Sequence, residues 1–216
     1  FVRLEKTGFR NKELRDLVPE ANTSASLVPQ MIAASPEEFR RIAGLFRESG
    51  YRRADINLGC PFPMIAGKHK GAGMLLYPAQ VAEVLAPIAE YPEIQFSLKM
   101  RLGWENASEC MVLVELLNTL RLSRIALHAR TGKQQYKGHP DLEAFQGFYE
   151  LCQHPLYYNG DIESLSDIRQ ILTRFPLLKG VFIGRGLLSS PLLAKEFKGN
   201  ETFLPEQRMS IYFAFH

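Results

Sequence analysis

The sequence predicts an α/β fold, a (β/α)8 TIM barrel lacking its first strand–helix unit, and three observations carry that expectation. Short β-rich runs alternate with amphipathic helical stretches. Central runs such as Ile125-Ala126-Leu127 and Val181-Phe182-Ile183 are apolar without a break, the mark of strands covered on both faces. Every run after the first ends in a polar or reactive residue, and strand ends are where such a barrel gathers its chemistry.

Strands are predicted at 1–4, 27–33, 54–58, 96–100, 124–128, 156–159 and 180–184. From the second onward they recur about every 25 to 40 residues, the rhythm of parallel βα units. Ser35-Pro36-Glu37-Glu38 reads as a capping box with proline at the first helical position; that helix runs to about Ser49 and stops at Gly50. Pro78 opens the next, which runs towards Glu90 with a kink at Pro87. Asn106 or Ser108 opens another that ends near Leu120, and Ser164-Leu165-Ser166-Asp167 starts one that stops before Pro176. Cys110 and Cys152 fall on expected helices as packing residues. The expected plan is a catalytic barrel over 1–200 and the start of a C-terminal helical region over 201–216. Seven strands stand against the eight of a closed barrel, and the chain opens directly on Phe1-Val2-Arg3-Leu4. The first strand and helix are therefore expected to lie outside this sequence. An open doubly wound sheet is the alternative architecture.

The composition suits one globular domain with a substantial core: 216 residues, 46% hydrophobic and 23% charged. The longest apolar runs, such as Met111 to Val114, are far too short to span a bilayer, and the first residues carry no signal-peptide pattern. Cys60, Cys110 and Cys152 are widely spaced and odd in number, so neither a disulfide framework nor a metal site is expected, and a reducing cytoplasm fits. A net charge of +3 permits an anionic partner as readily as it describes an ordinary, slightly basic enzyme. A monomer is the simplest expectation.

The strand ends are Gln30, Asn57 with Cys60, Lys99 with Arg101, His128 with Arg130, Asn159 with Asp161, and Gly184 with Arg185. A lone histidine or cysteine in such a place is more often a packing residue, but a whole series in register points to one site. Asn159-Gly160-Asp161 and Gly184-Arg185-Gly186 follow the last two strands, where barrels of this kind commonly hold a phosphate; isolated, the second would read as a plain turn. Lys99 interrupts an apolar strand, so it needs either a carboxylate partner or a role beside an electron-rich cofactor ring. Asp55-Ile56-Asn57-Leu58-Gly59-Cys60-Pro61-Phe62-Pro63 enters a loop over 64–73 whose glycines suit a mobile flap or a close approach to a ligand. The basic triplet Lys68-His69-Lys70 in that loop suits phosphate contact and a solvated tip equally.

These stretches resemble the tRNA-dihydrouridine synthase family in order and spacing. The matching residues are Val28-Pro29-Gln30; Asp55 to Pro63 with Gly71-Ala72-Gly73; Leu98-Lys99-Met100-Arg101-Leu102-Gly103-Trp104; His128-Ala129-Arg130-Thr131; Asn159-Gly160-Asp161; and Ile183-Gly184-Arg185-Gly186. The resemblance runs from Phe1 to about Phe197, and Phe1-Val2-Arg3 with Pro19-Glu20 looks closest to a bacterial branch. It implies a flavin-binding barrel followed by a helical RNA-binding domain, with FMN as prosthetic group, NADPH as reductant and tRNA as partner. In such enzymes hydride goes from reduced flavin to C6 of a uridine, and a loop cysteine gives the proton to C5. By motif match that cysteine is Cys60. Gln30, Lys99, His128, Asn159, Gly160, Asp161, Gly184 and Arg185 match flavin positions, and Arg3, Asn57 and Arg101 match positions facing the RNA. The family's Pro-Met first strand and its C-terminal domain are absent from this sequence.

Two other readings stand beside this one. An FMN barrel resembling dihydroorotate or dihydropyrimidine dehydrogenases also carries an Asn-x-x-Cys-Pro loop and acts on a free pyrimidine; the His-Ala-Arg-Thr and Lys-Met-Arg-Leu-Gly-Trp stretches argue against it. A non-catalytic RNA-binding relative would have a degraded flavin site, whereas Cys60, Lys99 and Asn159-Gly160-Asp161 are intact.

Overall fold

The fold is the α/β barrel class that the sequence predicts, built from seven strands and their intervening helices. The structure, a computed structural model, describes residues 1–5, 8–22 and 27–199. Two compact units divide the chain, Phe1–Leu156 and Tyr157–His216.

In the first unit five strands lie in chain order, each parallel to its neighbour: β1 (Val2–Arg3), β2 (Gln30–Ile32), β3 (Arg53–Leu58), β4 (Gln95–Gly103) and β5 (Leu122–Thr131). Helices occupy the connections: α1 (Asn11–Asp16), α2 (Pro36–Glu48), the single turn α3 (Pro63–Ala66), α4 (Pro78–Leu85), α5 (Glu109–Thr119) and α6 (Leu142–Leu151). The second unit takes up the rest of β6 (Leu156–Asn159), then α7 (Leu165–Arg174), β7 (Gly180–Phe182), α8 (Arg185–Ser189) and α9 (Leu193–Gly199), with β6 and β7 parallel.

The register explains why the central strands read as apolar and yet carry chemistry. Side chains alternate between the two faces of a strand, so each strand sends every second residue the same way. Asp55 pairs with Ser97, Asn57 with Lys99, Ser97 with Arg124, and Arg101 with His128. These polar residues therefore share one face across three strands. The other face carries Ala54, Ile56, Leu58, Phe96, Leu98, Met100, Leu102, Ile125, Leu127 and Ala129, all buried. It is covered by helices: Phe39 of α2 packs on Phe96 with ring centroids 5.3 Å apart, and α5 and α6 lie against β4 and β5. Ile125-Ala126-Leu127 is buried throughout as predicted, although one face of its sheet is polar, whereas Val181-Phe182-Ile183 is only half-buried.

Helix boundaries follow the local signals closely. The Ser35 hydroxyl accepts from Glu38 N at 3.2 Å, but the Glu38 carboxylate reaches Ala34 N instead of closing the box on Ser35. Ser164 and Asp167 do form the complete reciprocal box that starts α7. The kink at Pro87 takes the form of a 3-10 stretch, Ala86–Glu90, after α4. Ser108 caps α5 without its side chain; the Glu109 carboxylate instead accepts from the Trp104, Glu105 and Asn106 N–H groups. Cys110 is buried on α5, where burial pushes its thiol up to about 12, while Cys152 sits one residue past α6. The helical region expected over 201–216 lies outside the described residues.

Candidate active site

The β2, β3 and β4 ends bring together most of the residues that the sequence singles out in the first unit. Asn57 comes two residues after Asp55 on β3, so both side chains point the same way, and its amide bridges outward into the loop. Its Oδ1 accepts from Gly59 N at 2.9 Å and from Cys60 N at 2.8 Å, and its Nδ2 donates to Gln30 Oε1 at 2.8 Å. Gln30 Nε2 in turn donates to Asp55 Oδ2 at 2.6 Å, and the Ser97 hydroxyl donates to Asp55 Oδ1 at 2.6 Å. Cys60, a half-buried residue, is thus held at the strand end through its own backbone. Three of the four hydrogen bonds that the Asn57 amide can make are committed to this framework, leaving one N–H for a substrate.

Lys99 stands on β4 beside Asn57. Among the described residues its ammonium has no hydrogen bond or ion pair. Burial, and then the charge of Arg101, lower its pKa, only partly offset by Asp55 and Cys60. A half-buried cation without a partner is costly unless a ligand completes it. Asp55 is shifted the other way: burial raises its pKa despite the donors from Ser97 and Gln30.

Arg101 faces protein, not solvent. It is 2% exposed; Nε donates to Gly59 O at 2.9 Å, and Nη1 to Thr131 O at 2.9 Å and Gln135 O at 2.7 Å, with the guanidinium 5.5 Å from the Tyr136 ring centroid. Burial pulls its pKa down to about 10. In this arrangement Arg101, which the resemblance expects to face RNA, is a strut that ties the cysteine loop to the end of β5 and the loop after it. Its fork of donors suits that task because three carbonyls converge on it. Arg130 does similar work, donating to Lys137 O at 3.3 Å and Gly138 O at 2.6 Å. His128 is buried, its Nε2 3.4 Å from Arg130 Nη1; a guanidinium only donates, so Nε2 is the acceptor there.

Arg3 does not join this group. Its guanidinium lies 3.1 Å from Glu5 and 4.0 Å from Glu13, so two carboxylates already balance its charge. The 64–73 loop is likewise pinned, not a loose flap. Gly71, Ala72 and Gly73 are buried, and Ala72 N donates to Cys60 O at 3.0 Å. Lys70, expected in a basic tip, is 8% exposed and pairs with Glu38 at 2.7 Å, while His69 stacks on Tyr77.

In the second unit, Asn159 Nδ2 donates to Phe182 O at 2.8 Å, tying the end of β6 to the end of β7. Arg185 Nη2 donates to Asp161 Oδ1 at 2.9 Å, which gathers the two predicted turns. Gly186 packs so tightly on Ile162 O that a side chain there would collide with it, whereas beside Gly184 there is open space. Gly160 and Asp161 both adopt positive φ, 151° and 38°.

Sequence reasoning did not single out Asp55 or Ser97. The available signal was a carboxylate and a hydroxyl inside otherwise apolar strands, the same signal that marked Lys99.

Residues 1–214 match the family model described as "Dihydrouridine synthase (Dus)". Among curated proteins, the chain is 26% identical over 200 residues to "tRNA-dihydrouridine synthase B" of Vibrio vulnificus, covering 91% of this chain and 62% of that protein. It is 28% identical over 209 residues to "tRNA-dihydrouridine(16) synthase" of Haemophilus ducreyi, covering 93% of this chain and 64% of that protein. The chain thus spans less than two thirds of the length of these relatives. Among solved structures it is similar in fold to an old yellow enzyme homologue from Zymomonas mobilis, with a TM-score of 0.56, 13% identity, and coverage of 93% of this chain and 57% of that one. No helix among the described residues is long and apolar enough to cross a membrane.

Proposed function

The chain belongs to the dihydrouridine synthase family, and from that premise we propose that it is the catalytic part of a flavoenzyme that reduces the C5–C6 double bond of a uridine in tRNA. The observation that carries this reading is the placement of Cys60: the Asn57 amide holds its backbone, and its thiol lies within electrostatic reach of Lys99 and Arg101.

The residues present fit an FMN. Lys99 offers an ammonium with no partner of its own among the described residues, the donor that an electron-rich ring carbonyl calls for. Gln30 keeps one Nε2 hydrogen beyond the bond to Asp55, and the buried His128 adds an imidazole to the same strand-end row. In the second unit, Asn159, Gly160, Asp161, Gly184 and Arg185 are flavin positions by the family match, and Asp161 orients Arg185 there. The chemistry that an FMN held there and reduced by NADPH would supply is the hydride for C6 of the uracil ring.

The protein's own part is to position the ring and to supply a proton. Cys60 gives its thiol proton to C5 as general acid, and Asn57 keeps the thiol in place through the backbone. A uridine has to leave its stack to enter such a site, so the substrate is a flipped base. The remaining Asn57 N–H would be available to that base, and folded tRNA would be held mainly through shape and phosphates.

The test is dihydrouridine formation in unmodified tRNA by the full-length protein with FMN and NADPH. Product in tRNA is the expected result, and mapping it identifies the uridine. No product, with the bound flavin oxidised by a free pyrimidine instead, would replace this reading with the dehydrogenase one.

A further inference from the structure

We propose that Asp55 is a positioning residue that fixes which way the Gln30 and Asn57 amides face and, through them, holds the backbone carrying Cys60. The argument rests on the polarity of one chain of hydrogen bonds. An ionised carboxylate can only accept, so each neighbour of Asp55 has to present a donor. Ser97 does so through its hydroxyl at 2.6 Å, and Gln30 through Nε2 at 2.6 Å. With its NH2 group committed to Asp55, Gln30 turns its oxygen away, and that oxygen can take only a donor. The Asn57 NH2 group fills that place at 2.8 Å. The Asn57 oxygen is thereby left pointing at the loop, where Gly59 N–H and Cys60 N–H donate to it at 2.9 and 2.8 Å.

A carboxamide alone can flip at little cost, since its two ends are nearly the same shape. Here an acceptor-only carboxylate at one end and two donor-only N–H groups at the other hold both amides in one orientation, and Asp55 is the side-chain anchor of that chain. Asp55 lies five residues before Cys60 and touches neither the thiol nor its backbone, so its effect is relayed. Among the described residues no basic side chain lies at hydrogen-bond distance of Asp55, so its buried carboxylate depends on Ser97 and Gln30. The catalytic importance of the relay rests on the function proposed above, whereas the relay itself does not.

The experiment compares Asp55→Leu and Asp55→Asn in the full-length holoenzyme. One readout is hydrogen exchange at the Gly59 and Cys60 amides; the others are kcat, the KM for tRNA and the rate of flavin reduction by NADPH. Asp55→Leu removes the acceptor, so Gln30 loses its anchor and Asn57 is held from the loop end alone. We expect exchange at Gly59 and Cys60 to rise about tenfold and kcat to fall at least as far. Asp55→Asn is expected to rescue both, because its oxygen still accepts from Gln30 and the Ser97 hydroxyl can turn to accept from the new NH2 group. Unchanged exchange in Asp55→Leu would overturn the proposal, as would equal loss in Asp55→Asn. Should Asp55→Leu fail to fold, Gln30→Met cuts the same chain one link further on and has to raise the same two exchange rates. If the wild-type protein forms no dihydrouridine, the functional reading fails, but exchange still decides the role of Asp55.

Discussion

At the scale of single residues, Arg101, Asp55 and Lys99 share one sheet face and are held in three different ways. Arg101 is saturated by carbonyls, Asp55 by a hydroxyl and an amide, and Lys99 by nothing among the described residues. The difference makes Lys99 the residue that waits for a ligand, and stability reports it. Burial lowers the pKa of Lys99, so its contribution to stability is present above the ordinary lysine value of 10.5 and is lost as the pH falls through the depressed value. Lys99→Met removes that loss. The flavin-free variant is expected to be more stable than wild type at neutral pH by about 1 kcal/mol, with the gap closing in alkali, while flavin affinity falls. Thermal melts with and without FMN across that range check this; a variant less stable than wild type at neutral pH would mean that Lys99 has a structural partner. The lysine was legible in the sequence because it broke an apolar run. Arg101 was legible too, but its direction was not: a motif names a residue, whereas the three carbonyls that capture it come from loops distant in sequence.

At the scale of elements, the loop after β3 shows what glycine is for in this protein. Gly71 has φ +56°, and a Cβ there would sit 2.8 Å from Cys60 O and 2.9 Å from Cys60 Cβ. The sequence allowed either a mobile flap or a close approach, and close approach is what the structure shows. Gly71→Ala meets both a left-handed backbone and the cysteine itself. It is expected to destabilise the protein by about 1–3 kcal/mol and to lower turnover by displacing Cys60, whereas flavin content stays near normal. A melt, a flavin absorbance spectrum and a turnover assay check it; wild-type turnover would show that the thiol does not depend on this contact. Helix starts were legible because caps are local: Ser35 and Ser164 both accept from the residue three positions on. The extents of β4 and β5 were not. They run on through Arg101 and Arg130 to Gly103 and Thr131, because polar side chains that look like strand ends are accommodated on the shared polar face.

At the scale of the whole molecule, the βα rhythm gave the fold class, since a parallel strand needs a covering crossover before the next can pair. Spacing alone did not foresee that one covered face would be a row of Asp55, Asn57, Ser97, Lys99, Arg101 and His128, because period-two alternation is hard to see when both faces are buried. That row and the thiol beside it support the proposed division of labour, with hydride from the cofactor and proton from Cys60. The most direct measurement separates the two halves of the reaction in Cys60→Ala of the full-length protein. NADPH should bleach the bound flavin at the wild-type rate. Reoxidation by unmodified tRNA should slow by about a hundredfold or more, the usual worth of a positioned general acid. Reoxidation by tRNA at the wild-type rate would contradict the account and remove Cys60 from the chemistry.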